Sequence, residues 1–164
     1  MARVWKFGAS VDTDQILPGR FAPYLVGEEN LHKYPFCELR PEFPQGVRPG
    51  DVIVAGPNFG CGSSREYAPQ ALKRVGVGAI IAPSFARIFF RNALNLGIPL
   101  FQAAWAEELQ DGEEVTLDLG KNLLITGHGT YSLPQPPAFV REIWEAGGMA
   151  AYFRTHGRFP GQGR

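Results

Sequence analysis

The feature that most narrows the fold is a regular alternation of apolar segments between residues 63 and 103. Ser63 to Val75 carries Ala68, Leu72 and Val75 at helical spacing, and Ser63-Ser64-Arg65-Glu66 matches the S-x-x-E box that opens a helix. Gly76 and Gly78 close that helix, and residues 79–82 (AIIA) form a short apolar strand. Ser84 is placed to cap a second helix, FARIFFRNALNL, which Gly97 and Pro99 end, and residues 99–103 supply the next strand. Upstream, residues 2–8 alternate in the manner of a strand, residues 27–34 form a short helix stopped by Pro35, and Asp51–Ala55 is another strand. Downstream, residues 113–119 and 122–126 form a hairpin across Gly120-Lys121, and a last helix covers 136–146 with Pro136 and Pro137 in its first turn. This order predicts an α/β domain of mixed strand direction in a three-layer or barrel-like packing. A chain of 164 residues is expected to form one such domain, with a hairpin and helix over 104–155 and a flexible tail over 156–164.

Composition excludes several classes. Sixteen basic residues balance sixteen acidic ones, which argues against a nucleic-acid or anionic-membrane partner. No apolar run reaches the length of a membrane span, and the first residues lack the apolar core of a signal peptide, so a soluble, cytoplasmic protein is expected. Cys37 and Cys61 are too few for a disulfide scaffold or a four-thiolate metal site, and His32, His128 and His156 are scattered. No metal ligand is assigned. Glycine and proline together account for 34 residues, and nine of them fall in the 23 residues from Pro41 to Ser63. The chain is therefore folded but rich in constrained loops.

That glycine-rich run leads into Gly56-Pro57-Asn58-Phe59-Gly60-Cys61-Gly62-Ser63-Ser64-Arg65-Glu66. Its glycines let the backbone turn tightly and approach a ligand, and they deliver two hydroxyls and a guanidinium to a helix start. Backbone N–H groups there favour a carboxylate, phosphate or alkoxide. Arg65 can add a bidentate contact to a carboxylate. A serine in that field is a candidate base; the alternative is that Ser63 and Glu66 merely cap the helix. The phosphate-loop, dinucleotide and nucleophile-elbow patterns are all unmet. Asp12-Thr13-Asp14-Gln15 places carboxylates and a hydroxyl in a loop after the first strand, where either a functional group or a solvated turn fits. The segment from Ser84 to Asn92 is mainly a core helix through Phe85, Ile88 and Phe89, with Arg87 and Arg91 along one edge.

Taken in order, D-T-D-Q-I-L at 12–17, G-x-N-F-G-C-G-S-S-R-E at 56–66 and S-F-A-R-I-F-x-R-N-x-x-N-x-G-I-P at 84–99 resemble the small subunit of 3-isopropylmalate dehydratase. That subunit is the aconitase-type swivelling domain made as a separate chain. The resemblance spans most of residues 3–103 and implies a β/β/α swivelling domain docked on a large subunit that carries a [4Fe–4S] cluster. No cofactor is expected in this chain, whose two cysteines match no cluster pattern.

The reaction implied is isomerisation of 2-isopropylmalate to 3-isopropylmalate, in leucine biosynthesis, by dehydration and rehydration. An open iron position on the partner would serve as Lewis acid. By carry-over of the motif, Ser63 is the base that removes the carbon-bound proton. Ser64 and Arg65 bind a substrate carboxylate, and Thr13 and Asp14 stand at the active-site edge. The commoner R-E-H-A continuation is Arg65-Glu66-Tyr67-Ala68 here. In related subunits a loop matching Tyr24-Leu25 contacts the distal group of the substrate. The next residue here is Val26, which suits an isopropyl group better than a carboxylate. Arg20 lies close enough in sequence to supply charge, so a homoaconitase small subunit of lysine biosynthesis is the alternative. A non-catalytic anion-binding domain comes third.

Overall fold

A computed structural model describes residues 1–62 and 67–161. Among them, seven strands form a mixed sheet: β1 (Ala2–Lys6), β2 (Val52–Val54), β3 (Ala79–Ala82), β4 (Leu100–Gln102), β5 (Glu114–Asp118), β6 (Leu123–Thr126) and β7 (Gly129–Ser132). Their spatial order is β4-β3-β2-β1-β5-β6-β7. The first four run parallel, with Val4 opposite Val52, Val52 opposite Ala79 and Ile80 opposite Leu100. The last three form an antiparallel meander that joins β1 through Ala2 and Val115. The expected α/β class with mixed strands and flanking helices is what the chain adopts.

Parallel strands are covered on both faces, which is why β2 and β3 read as unbroken apolar runs. Alternate residues divide between two cores. Trp5, Ile53, Ile80 and Leu100 face the helices, together with Leu72, Phe89 and Ala93. Val4, Val52, Ile81 and Phe101 face the other way and share their core with Val115, Leu124 and Leu133 of the meander region. The sheet thus curls so that its antiparallel part lies across the parallel part. Layers of β, β and α result.

The helices are α1 (Thr13–Ile16), α2 (Pro23–Val26), α3 (Phe43–Gly46), α4 (Tyr67–Arg74), α5 (Arg87–Asn95), α6 (Ala138–Ala146) and α7 (Met149–His156). A 3-10 helix at Glu28–Lys33 replaces the short helix expected over 27–34. Helix α4 buries Ala68, Pro69, Ala71 and Leu72, the face that the spacing predicts. The start of that helix and its proposed Ser63–Glu66 box lie outside the described residues.

Several local expectations are corrected. Ser84 does not cap α5: the helix begins at Arg87 after Ala86, and the Ser84 hydroxyl instead accepts the Asn58 N–H at 2.8 Å. Phe85 therefore precedes α5, and Ile88 is about half exposed, leaving Phe89 as the apolar anchor of that turn. Residues 104–155 hold more than a hairpin and one helix, since β7 extends the hairpin and α7 follows α6. Glycine explains the second break: Gly147 and Gly148 both adopt positive φ, which ends α6 and restarts the chain as α7. The last three residues of the expected tail, 162–164, lie outside the described residues.

One buried carboxylate fixes the opposite rim of the parallel strands. Asp51 accepts the backbone N–H groups of Arg3 and Arg48 at 3.0 and 2.9 Å and the Trp5 indole N–H at 3.0 Å. Two guanidiniums lie over the same indole, Arg3 at 4.3 Å and Arg40 at 4.8 Å from the ring centre. Both carboxylate oxygens of Asp51 are thus engaged in structure.

Candidate active site at the carboxyl edge of the parallel strands

Loops leaving the carboxyl ends of parallel strands are where α/β sheets place their ligands. Here three such loops are knitted together by main chain. Past the end of β1, Phe7 N–H donates to Val54 O at 2.8 Å, Gly56 N–H to Gly8 O at 3.0 Å and Ser10 N–H to Pro57 O at 2.8 Å. Gly60 N–H donates to Val11 O at 2.7 Å and Thr13 N–H to Cys61 O at 2.8 Å, so residues 8–13 run beside 56–61 as a second, irregular ribbon. The loop after β3 joins on the other side through Phe59 N–H to Ser84 O (3.1 Å) and Ala86 N–H to Phe59 O (2.9 Å). Phe59 is fully buried at the centre of this weave and meets Phe85 and Phe89 edge-on.

Glycine is required at two of these positions for different reasons. A side chain at Gly56 would reach within 2.8 Å of the Ala9 backbone. At Gly60 the backbone has φ +86° and a Cβ would lie 2.2 Å from the Phe89 ring. The tight turning expected of these glycines is seen in the positive φ of Gly60 and Gly62, while the close approach at Gly56 and Gly60 is to the protein's own chain and not to a ligand. Cys61, whose role sequence left open, donates its thiol to Ser10 O at 3.4 Å and Val11 O at 3.7 Å and so belongs to the same weave. Cys37 is no better a nucleophile: burial first, then Glu38, push its thiol above the usual range despite Arg20 nearby.

The weave delivers Thr13 to Gly62. Thr13 is buried, and its Oγ1 lies 3.1 Å from where a Gly62 Cβ would stand. Gly62 is the last described residue before the Ser63-Ser64-Arg65 segment, and those three expected site residues lie outside the described residues. The Asp12-Thr13-Asp14-Gln15 segment is not a loop. Asp12 caps α1 by accepting the N–H groups of Asp14 and Gln15, while the Gln15 side chain returns to the Asp12 N–H at 2.9 Å. Of the two aspartates, Asp12 is thus committed to local structure, and Asp14 is exposed on the first turn.

Thr13 and Asp14 share a crevice with Leu17, Pro18, Gly19, Ala22, Tyr67 and Ala68. Its volume of about 10 Å³ admits roughly one water. Around its rim stands α2, which presents Tyr24 and Leu25 outward at 71% and 59% exposure. Val26, by contrast, is half-buried against the core and fixed through its carbonyl, which accepts the Asn30 side-chain N–H at 2.7 Å. Of the three expected substrate-contact residues, two are therefore displayed and one is partly drawn in. Arg20 is engaged elsewhere: its Nη1 donates to both carboxylate oxygens of Glu38 at 3.0 Å, and the guanidinium lies over the Phe21 ring. Sequence reasoning did not assign Tyr67, Leu17 or Ala22 to this crevice. The capping box at 12–15, D-x-x-Q, was the available signal that α1 would carry Thr13 inward.

Among the described residues, no group of three or more His, Cys, Asp or Glu side chains is arranged to hold a metal ion. A cluster ligand set does not fit this part of the chain. No helix among the described residues is long and apolar enough to cross a membrane.

Comparison with known proteins places this geometry in a class. Residues 38–104 match the family described as the aconitase C-terminal domain. The chain is 56% identical to the 3-isopropylmalate dehydratase small subunit 1 of Deinococcus radiodurans, over 99% of this chain and 92% of that protein. It is 55% identical to the homoaconitase small subunit of Thermus thermophilus, over 99% of this chain and 100% of that protein. The crystal structure of 3-isopropylmalate dehydratase from Methanocaldococcus jannaschii superposes with a TM-score of 0.85 at 43% identity, covering 95% of this chain and 93% of that one. The chain belongs to the 3-isopropylmalate dehydratase small-subunit family of aconitase-type proteins.

Proposed function

We propose that this chain is the small subunit of a heteromeric 3-isopropylmalate dehydratase, a hydro-lyase that interconverts 2- and 3-isopropylmalate in leucine biosynthesis. The observation that carries this reading is the near full-length match at 56% identity to a small subunit of that name. The name implies a larger partner. We place the [4Fe–4S] cluster on that large subunit, where it would supply Lewis-acid chemistry toward the departing hydroxyl, and the active site at the junction of the two chains. The whole chain, 1–164, acts as one cytoplasmic domain in this reading.

This chain's own part is proton transfer and substrate placement. Ser63 takes the carbon-bound proton of the hydroxy-dicarboxylate and returns it to the neighbouring carbon on rehydration. Ser64 and Arg65 hold a substrate carboxylate, and the positive field of Arg65 favours the Ser63 alkoxide over the hydroxyl. Thr13, packed on Gly62, fixes the entry to that segment, and Asp14 stands at the rim of the same crevice. Tyr24, Leu25 and Val26 face the distal isopropyl group.

The homoaconitase reading draws support from the 55% identity to the Thermus thermophilus subunit. Two features weigh against it. Val26 offers no charge to a distal carboxylate, and Arg20 is already neutralised by Glu38. The test is reconstitution with the large subunit under anaerobic, reducing conditions. The complex is expected to assemble and to turn over isopropylmalate with higher kcat/KM than homoaconitate; the reverse preference overturns the substrate assignment. Ser63→Ala should leave assembly intact and lower kcat by about a thousandfold or more. Retained turnover removes Ser63 from the base role.

A further inference from the structure

We infer that Tyr67 is a positioning residue for substrate recognition, acting through the ring of Tyr24; this rests on the proposed role of the 24–26 segment. The backbone of α2 is well tied, by Leu25 N–H to Ala22 O, Val26 N–H to Ala22 O and Gly27 N–H to Pro23 O. The Tyr24 side chain is not held by that network, because it projects outward with most of its surface exposed. Its ring meets Tyr67 edge-on, with centres 6.1 Å apart and planes at 61°. That is the separation and tilt at which aromatic rings attract beyond simple burial.

Tyr67 is suited to anchor such a contact. It is half-buried against the helix-side core, at the first described turn of α4. Helix α4 packs on α1 and on the Glu28–Lys33 turn, the elements on either side of α2 in the chain. Tyr67 also lines the crevice with Thr13 and Asp14. One ring therefore touches both the crevice at the active-site edge and the displayed side chain that meets the distal group. The contact uses the ring edge, so the aromatic ring and not the hydroxyl is what counts. A histidine in its place would have a smaller ring with less edge to offer Tyr24.

The experiment is a double-mutant cycle on the reconstituted complex, with Y67L, Y24L, Y24L/Y67L and Y67F assayed on whichever of isopropylmalate and homoaconitate the wild type prefers. Y67L is expected to raise KM by about three- to tenfold, the loss of one aromatic pair, with kcat held within about twofold. Y67F should restore the wild-type KM. The double variant should be no worse than Y24L alone, because the two act as a unit. Multiplying KM effects, a fall in kcat at unchanged KM, or a Y67F as impaired as Y67L would each overturn the assignment. If Y67L does not fold by circular dichroism, Y67H gives the same readout, and a wild-type KM in Y67H overturns the inference. Ser63→Ala run alongside reports separately on the base, so failure of the proton-transfer reading is distinguishable from failure of this one.

Discussion

The parallel and antiparallel parts of the sheet are built from the same strand physics and put to different uses. In β2 and β3 every residue is buried, and the connections at the carboxyl ends carry Thr13, Gly62 and the segment that follows. In β5, β6 and β7 burial falls on single positions such as Val115 and Leu124 while neighbours face solvent. The meander closes one core and contributes none of the residues assigned to the site. Confinement on both faces is what makes the parallel half a rigid base for loops; the half-solvated meander serves as a lid on the core. Stability is therefore spread over both halves, and the proposed site is concentrated at one edge of one half.

That contrast can be broken most severely at Gly60. Gly60→Ala forces a side chain into the Phe89 ring at a positive φ and should cost about 4 kcal/mol in urea unfolding, combining overpacking and left-handed strain. It should also lower turnover of the reconstituted complex at temperatures where the variant remains folded, because the weave around Phe59 sets the Gly62 approach. An unchanged kcat would show that the ribbon does not position the site. Leu124→Ala, in the meander, should cost about 3 kcal/mol from a fully buried site yet leave kcat and KM within about twofold. Altered kinetics in that variant would mean the two halves are coupled.

The smallest effect is expected where the chain passes from one half to the other. Asp111 lies between β4 and β5, bound by Arg40 at 2.8 and 3.1 Å and by Lys6 N–H at 2.8 Å. Burial pushes its carboxyl up, but those hydrogen bonds and the Arg40 charge outweigh it and hold the group below the usual carboxylate range. A lowered folded pKa stabilises at pH values above the unfolded one, about 3.9, and the benefit is lost as pH falls through the folded value. Because both partners are partly exposed, Asp111→Asn should cost less than about 1 kcal/mol at pH 7 and nothing in strong acid. A loss that persists at low pH would point to packing and not charge.

What could be read in sequence follows the same division. Alternation between helix and strand from residue 63 to 103 is a local signal, and α4, β3, α5 and β4 fall where it indicates within a few residues. Ser84 differs from expectation because a serine before an apolar run satisfies the capping rule whether or not its hydroxyl is claimed by a distant N–H, here Asn58. The converse holds at Asp12: its cap is legible in D-T-D-Q, a segment for which the sequence reading offers only a functional loop or a solvated turn. The third meander strand follows Thr126 through the two-residue turn Gly127-His128, where neither residue takes the positive φ of a primed hairpin turn, so no strong turn signature marks it in sequence. The crevice itself was not legible, since Thr13, Leu17, Ala22 and Tyr67 come together only through the packing of α4 on α1.

The ribbon of residues 8–13 and 56–61 has a consequence for how such a chain can change over time. Its hydrogen bonds run from main chain to main chain, so they make few demands on side-chain identity beyond the glycines that must stay small. Displayed residues such as Tyr24 and Leu25 can therefore be exchanged without disturbing the frame that carries Thr13. Under the role proposed for Tyr24 and Leu25, a lineage can drift from one hydroxy-acid substrate toward another by altering a handful of rim side chains. It need not first surrender a working scaffold to do so.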